Sequence, residues 1–175
     1  KKFDLTTGRL EEVRNPYGSA AKVFYDTDGI DYVELKDGTK EVKYDYTFTT
    51  GLLRSILYQV EGVDVRRVRY EYTSGGNLAK VIVEDPDGAG WEEIETTFYG
   101  YHDNGAGQLQ YVLGDDAFKR WEEAGPSASA ALFADSEFDY NEDGTVSSSK
   151  SDGGSCESDY DYCFEPEDDS SSSSS

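Results

Sequence analysis

The sharpest string of ligand-type residues is "DYNEDGTVSSSK", residues 139–150. Asp139, Asn141 and Asp143 stand at positions 1, 3 and 5 of a twelve-residue frame, with Gly144 at 6. That order lets oxygens converge on calcium around a tight turn. Position 12 is Lys150 rather than a bidentate Glu, and no amphipathic helices flank the string, so an EF-hand is not expected. The metal expectation is a looser calcium site on the same residues with Asp152 added. Against it stands the plainer reading of a hairpin turn. "YDTDGID" (25–31) offers a weaker version through Asp26, Asp28 and Asp31.

Cys156 and Cys163 enclose "CESDYDYC" in an acidic tail, a spacing that predicts a disulfide pinning the tail and an oxidising compartment. Two cysteines and one distant histidine do not supply four zinc ligands. Catalysis finds no frame. His102 is the only histidine, no G-x-S-x-G or phosphate loop occurs, and 37 acidic residues make chance carboxylate pairs unavoidable. The chain is not expected to be an enzyme. No N-x-Ser/Thr sequon is present. The serines Ser147, Ser148, Ser149, Ser170 and Ser171 read either as O-glycosylation candidates or as plain solvated linker and tail.

The elements that must position these residues follow from period and punctuation. "EVKYDYTF" (41–48) alternates Val42, Tyr44, Tyr46 and Phe48 against Glu41, Lys43, Asp45 and Thr47, a strand with one aromatic and one charged face. "VDVRRVRYEY" (63–72) alternates with a slip at Arg66-Arg67 that predicts a β-bulge, and "LQYVL" (109–113) alternates again. A unit recurs: an aromatic, soon an acid, then a glycine, then an apolar strand. Its glycines are Gly8, Gly29, Gly51, Gly76, Gly107 and Gly144, separated by 21, 22, 25, 31 and 37 residues. Second turn signals lie between them in "NPYG" (15–18), "KDG" (36–38) and "PDG" (86–88). Each unit therefore reads as a β-hairpin. Tyrosines at one position per unit would ladder across strands, and the following Asp would accept backbone N–H bonds at the turn.

At about 114–134 the grammar changes. Phe118 and Trp121 are three apart, acids lead and Gly125 follows, which predicts a short helical insertion. The domain reading is a β-repeat domain over 1–146 and a Ser/acid-rich tail with the Cys pair over 147–175. Within that tail, Tyr160, Tyr162 and Phe164 alternate as the face of a strand a neighbouring subunit could receive.

Composition sets the outer bounds. Aromatics reach 14 %, so the core must be aromatic and β-branched. Basic residues number 16 against 37 acidic, a net charge of −21 that argues against nucleic acid and against self-association without salt, divalent cations or sugar. No apolar run reaches membrane length, and no signal peptide is visible. Opening on Lys1-Lys2 with no Met, the chain reads as a mature product or an excised piece.

The stretch "FDLTTGRLEEVRNPYGSAAKVFYDTDG" (3–29) resembles two consecutive units of the YD-repeat (RHS) family, aromatic-Asp followed by Gly-Arg-Leu, a strand and a Gly turn. The similarity runs over about residues 3–113 and reappears at 138–146. What it implies is an all-β, extracellular antiparallel hairpin scaffold, a meander or a sandwich. The functional expectation is a structural protein of the cell surface or secreted space, a homopolymeric filament subunit. The alternative is an adhesion or carbohydrate-binding module, or a shell fragment of a larger YD-repeat toxin. Partners expected are other copies of the chain and glycan, with calcium the cofactor to test.

Overall fold

The structure, a computed structural model, describes residues 1–151 and the backbone of 156–159. One antiparallel sheet of 13 strands takes up almost the whole described chain, each strand paired with the next in sequence. The strands are β1 (Lys2–Phe3), β2 (Leu10–Arg14), β3 (Ala20–Tyr25), β4 (Ile30–Asp37), β5 (Lys40–Thr49), β6 (Leu52–Val60), β7 (Val63–Tyr72), β8 (Leu78–Asp87), β9 (Gly90–Tyr101), β10 (Leu109–Leu113), β11 (Ser136–Tyr140), β12 (Val146–Ser151) and β13 (Cys156–Asp159). The fold is the all-β hairpin meander. Between β10 and β11 sits α1 (Asp115–Ala124), followed by a 3-10 turn over Ala130–Phe133, so the helical insertion falls where the change of grammar puts it. The sheet does not stop at 146: the serine strand β12 pairs with β11 on one side and β13 on the other.

Local chemistry explains the meander. The loops Thr50-Gly51 and Glu61-Gly62 are two residues long, and all four residues have positive φ, as the tightest hairpin turns demand. The bulge in β7 is real but lies earlier than Arg66-Arg67. Tyr58 faces Arg66 while Gln59 faces Asp64, which leaves Val65 as the extra residue, 40 % exposed. A second irregularity lies opposite Thr47 and Phe48, which face Ser55 and Leu53 and leave Arg54 of β6 as the extra residue. The pattern shows which residues share a face but not where pairing adds a residue.

The buried core is small and off-centre. Leu113, Ala117, Phe118, Ala130 and Ala134 are buried together, with Phe98, Tyr111, Trp121 and Phe133 packed against them. Helix α1 lies on β9 and β10, its Phe118 ring 5.9 Å from Phe98 and Trp121 5.2 Å from the same ring. Gly100 lets Tyr111 lie flat on β9: a methyl group there would stand 2.6 Å from Cε1 of that ring and closer still to Cε2 and Cζ. Asp115 opens the helix, accepting from the Thr96 backbone N–H at 3.0 Å and from Lys119 at 2.6 Å, and the Lys119 bond holds its carboxyl below the usual range.

Candidate functional site

The repeat unit resolves into a lock between neighbouring hairpins. Asp4 accepts from the backbone N–H groups of Thr6 and Thr7 at 2.7 and 2.8 Å, and Asp26 from Asp28 and Gly29 at 2.8 and 2.9 Å. In these two units the acid after the aromatic is a turn cap, as expected. Asp45, Glu71 and Asp139 instead lie within strands, Asp45 paired with Lys43 and Glu71 with Arg69. The aromatic itself reaches backward. Tyr25 donates its hydroxyl to the Leu10 carbonyl at 3.0 Å, Tyr72 to Leu53 at 2.9 Å and Tyr101 to Leu78 at 2.8 Å. Arg9 covers the Tyr25 ring at 4.9 Å and Arg54 the Tyr72 ring at 5.3 Å. Hydroxyl and cation together fasten Tyr25 and Tyr72 to the unit before, and the hydroxyl alone fastens Tyr101.

The two faces of the sheet differ in kind. Cross-strand partners share a face, and one face carries apolar rows running across the strands. Val13, Ala21, Leu35, Val42, Val60 and Val63 form one; Val23, Val33, Tyr44 and Tyr58 a second; Tyr46, Ile56, Val68 and Val83 a third. Tyr44 and Tyr58 stack at 5.2 Å within it. Every residue in these rows is half-buried or exposed, none buried. An open cleft of about 480 Å³ lies over Val13, Ala21, Leu35 and Val42. Burial, then Tyr72, Tyr46 and Tyr99, push the Tyr70 phenol up.

The opposite face is ion-paired and carries α1. Glu84, 4 % exposed, meets Arg67 at 2.6 Å and Arg69 at 3.4 Å, and Arg69 continues to Glu71 and to Glu93. Burial opposes the charge on Arg69, but Glu84, Glu71 and Glu93 outweigh it and raise its pKa. Arg67 also lies over the Trp91 ring at 4.5 Å, covering one face of the aromatic that would otherwise be open to a sugar. Lys36 pairs with Glu34 and Glu41, and Lys43 with Asp45. This network is what sequence reasoning missed. Its signal was there: the arginines of "VRRVR" alternate into register with the acids of "VEDPD" and "WEEIE".

The calcium-type residues of the sixth unit are placed as turn and strand residues. Asp139 lies in β11 and accepts from Ser148 Oγ at 3.2 Å. Asn141 donates to Thr145 Oγ1 at 3.0 Å, and Asp143 accepts from the Thr145 N–H at 2.9 Å and its hydroxyl at 2.6 Å. Those bonds hold the Asp143 carboxyl below its ordinary range. Among the described residues no three His, Cys, Asp or Glu side chains come together as a metal set. Ser147, Ser148 and Ser149 are half-buried in β12 rather than in a free linker. His102 is tied into the sheet: its Nε2 lies 2.9 Å from the Phe138 carbonyl, and its ring meets Tyr140 edge-on at 5.8 Å. A carbonyl only accepts, so that nitrogen carries the proton.

Cys156 opens β13. Cys163, Asp152, Ser170, Ser171, Tyr160, Tyr162 and Phe164 lie outside the described residues, so the disulfide, the fourth calcium residue and the donated-strand face fall there too. The four residues before Tyr160 pair within this chain, Ser148 to Ser151 of β12 against Cys156 to Asp159. No helix among the described residues is long and apolar enough to cross a membrane. Compared with known proteins, the chain matches no family model and no curated protein.

Proposed function

We propose that this chain is an extracellular structural protein, a self-assembling subunit of a surface or secreted filament, and not an enzyme. The observation that carries this reading is the open meander. Among the described residues no strand pairs with the outer edge of β1 or of β13, so each end of the sheet offers a row of backbone donors and acceptors to another chain. His102 and the acids of the turns are engaged in holding the sheet, which fits a scaffold rather than a catalyst. The net charge of −21 makes assembly depend on salt, calcium or bound sugar. Negative-stain electron microscopy with and without chelator tests the reading. Filaments that disperse on chelation are expected, and folded single particles at every calcium and salt concentration would refute it.

A second reading keeps support from two observations. The tyrosine locks recur just before the turn in three units, at Tyr25, Tyr72 and Tyr101, as a fragment of a longer YD-repeat shell would require, with Asp directly after the tyrosine in the first of them. The open Tyr44 and Tyr58 pair gives a sugar ring something to stack on. A glycan array, with Tyr58→Ala as control, separates sugar binding from the structural reading.

A further inference from the structure

We infer that the apolar face of β2–β8 is a self-association surface, on which a second copy of this chain packs face to face to make a two-layer β-sandwich. This deepens the assembly reading by naming a second contact, distinct from the strand edges. The reasoning starts from what a sheet requires. A sheet with one apolar face is stable when that face is buried against another layer. Among the described residues the one layer supplied, α1, lies on the opposite face. Rows such as Tyr46, Ile56, Val68 and Val83 are left open across the middle of the sheet. Exposed apolar patches of this extent mark interaction sites.

Area and charge choose the occupant. The fourteen side chains of the three rows, about 4.8 Å apart across the strands and about 6.8 Å apart along them, give a footprint of roughly 460 Å². A standard interface buries about 800 Å² per partner, a little over half of it apolar, so these rows match the apolar share of one side of a stable dimer. A two-fold axis makes the face its own complement, and twisted sheets pack this way about 10 Å apart. The charge arrangement tolerates it. Arg66, on the same face, pairs with Asp85 at 2.8 and 3.1 Å, and the further acids of that face, Glu92 and Glu95, stand on β9, beyond the end of the rows. The ion-paired faces point outward on opposite sides of the sandwich, separated by more than the ~8 Å screening length at physiological salt.

Sedimentation velocity of the full chain in physiological salt, with Val68→Lys on the apolar face and Thr47→Lys on the other, is the test. Wild type and Thr47→Lys are expected to associate, and Val68→Lys to weaken association by at least about tenfold. Tyr46→Ser serves as the milder variant should the lysine prevent folding, judged by circular dichroism. Small-angle scattering of the smallest wild-type oligomer adds a readout of shape: two layers thick supports the inference, one layer thick overturns it. A folded monomer would sink both this inference and the filament reading. Filaments indifferent to Val68→Lys and Tyr46→Ser would overturn the face and leave the filament standing. A dimer that never grows would do the reverse.

Discussion

Replacing Gly100 with alanine tests the account of the core at its tightest point. Gly100 is buried in β9, and its missing side chain is the space in which the Tyr111 ring lies, with carbons 2.6 Å and less from where a methyl would stand. Among the described residues nothing else approaches that closely at a glycine. Two responses are open to the ring. If it tilts, the penalty is that of overpacking, about 1–3 kcal/mol. If it leaves, the loss approaches that of truncating a core aromatic, about 3–5 kcal/mol. Tyr111 is only half-buried, and Phe98 at 6.3 Å can follow it part of the way, so the expected loss is about 2–3 kcal/mol. For a chain of this size that lowers the midpoint of thermal unfolding by roughly 5–10 °C. Urea titration followed by tryptophan fluorescence reads it, since Trp121 sits in the same cluster. The pair Gly100→Ala/Tyr111→Ala should then be less destabilised than the two single changes added together, by about 1 kcal/mol or more. A Gly100→Ala protein within about 0.5 kcal/mol of wild type would refute the packing, because alanine's modest strand preference over glycine is the only term that favours it.

The remaining predictions concern the locks, the ion pairs and pH. Tyr25→Phe, Tyr72→Phe and Tyr101→Phe each remove one hydroxyl-to-carbonyl bond and should each lower stability by about 0.5–1.5 kcal/mol in urea titration. Phe48 ends β5 without a hydroxyl, so Phe48→Leu should leave those three locks intact and lose packing alone. Glu84→Gln takes from Arg67 its acid while Arg69 keeps Glu71 and Glu93; solvent around Arg67 reduces the penalty of an unpaired charge to about 1–2 kcal/mol, measurable as a shift in the denaturation midpoint. Burial raises the phenols of Tyr70, Tyr101 and Tyr111 above their unfolded value near 10, so the stability they contribute is complete below that pH and falls as pH rises through the folded pKa values. Asp4, Asp85, Asp115 and Asp143 are held low, so their contribution is present above about pH 3.9 and lost as pH falls further. A thermal-unfolding series against pH should therefore show both limbs, with a flat top between them.

Much of the fold is legible in the residues because the physics is local. Alternation with period two marks β5, β7 and β10, glycine after an aromatic-acid pair marks the turns, and Phe118 to Trp121 marks the helix. What escapes is relational. The bulge at Val65 rather than Arg66 depends on how β6 pairs, not on β7 alone. The Glu84 network joins residues from β7, β8 and β9 whose meeting follows from register. The tyrosine hydroxyls find carbonyls one unit back, an acceptor no side-chain pattern records. The calcium-type spacing at 139–143 is the opposite case. The same Asp-x-Asn-x-Asp-Gly order that gathers metal ligands also caps a tight turn, and here Asp143 is bonded to Thr145.

The position of α1 ties these observations together. It enters at the far-side turn of the fifth unit and covers β9 and β10, so the residues that are buried, from Ile82 through Ala134, all belong to β8 onward. Among the described residues strands β2–β7 have no second layer on either face. On the ion-paired side that is tolerable, because Lys36, Lys43, Arg67 and Arg69 each meet an acid and the face is content in water. On the apolar side it is not, since Tyr44, Ile56 and Val60 gain little from solvent. Charge cannot be what keeps that side bare. The excess acid is concentrated elsewhere, with eight acidic residues against Lys150 alone beyond Val146. A chain that solvates one face, caps part of it with a helix and leaves the other apolar through six successive strands is shaped to be completed by another sheet.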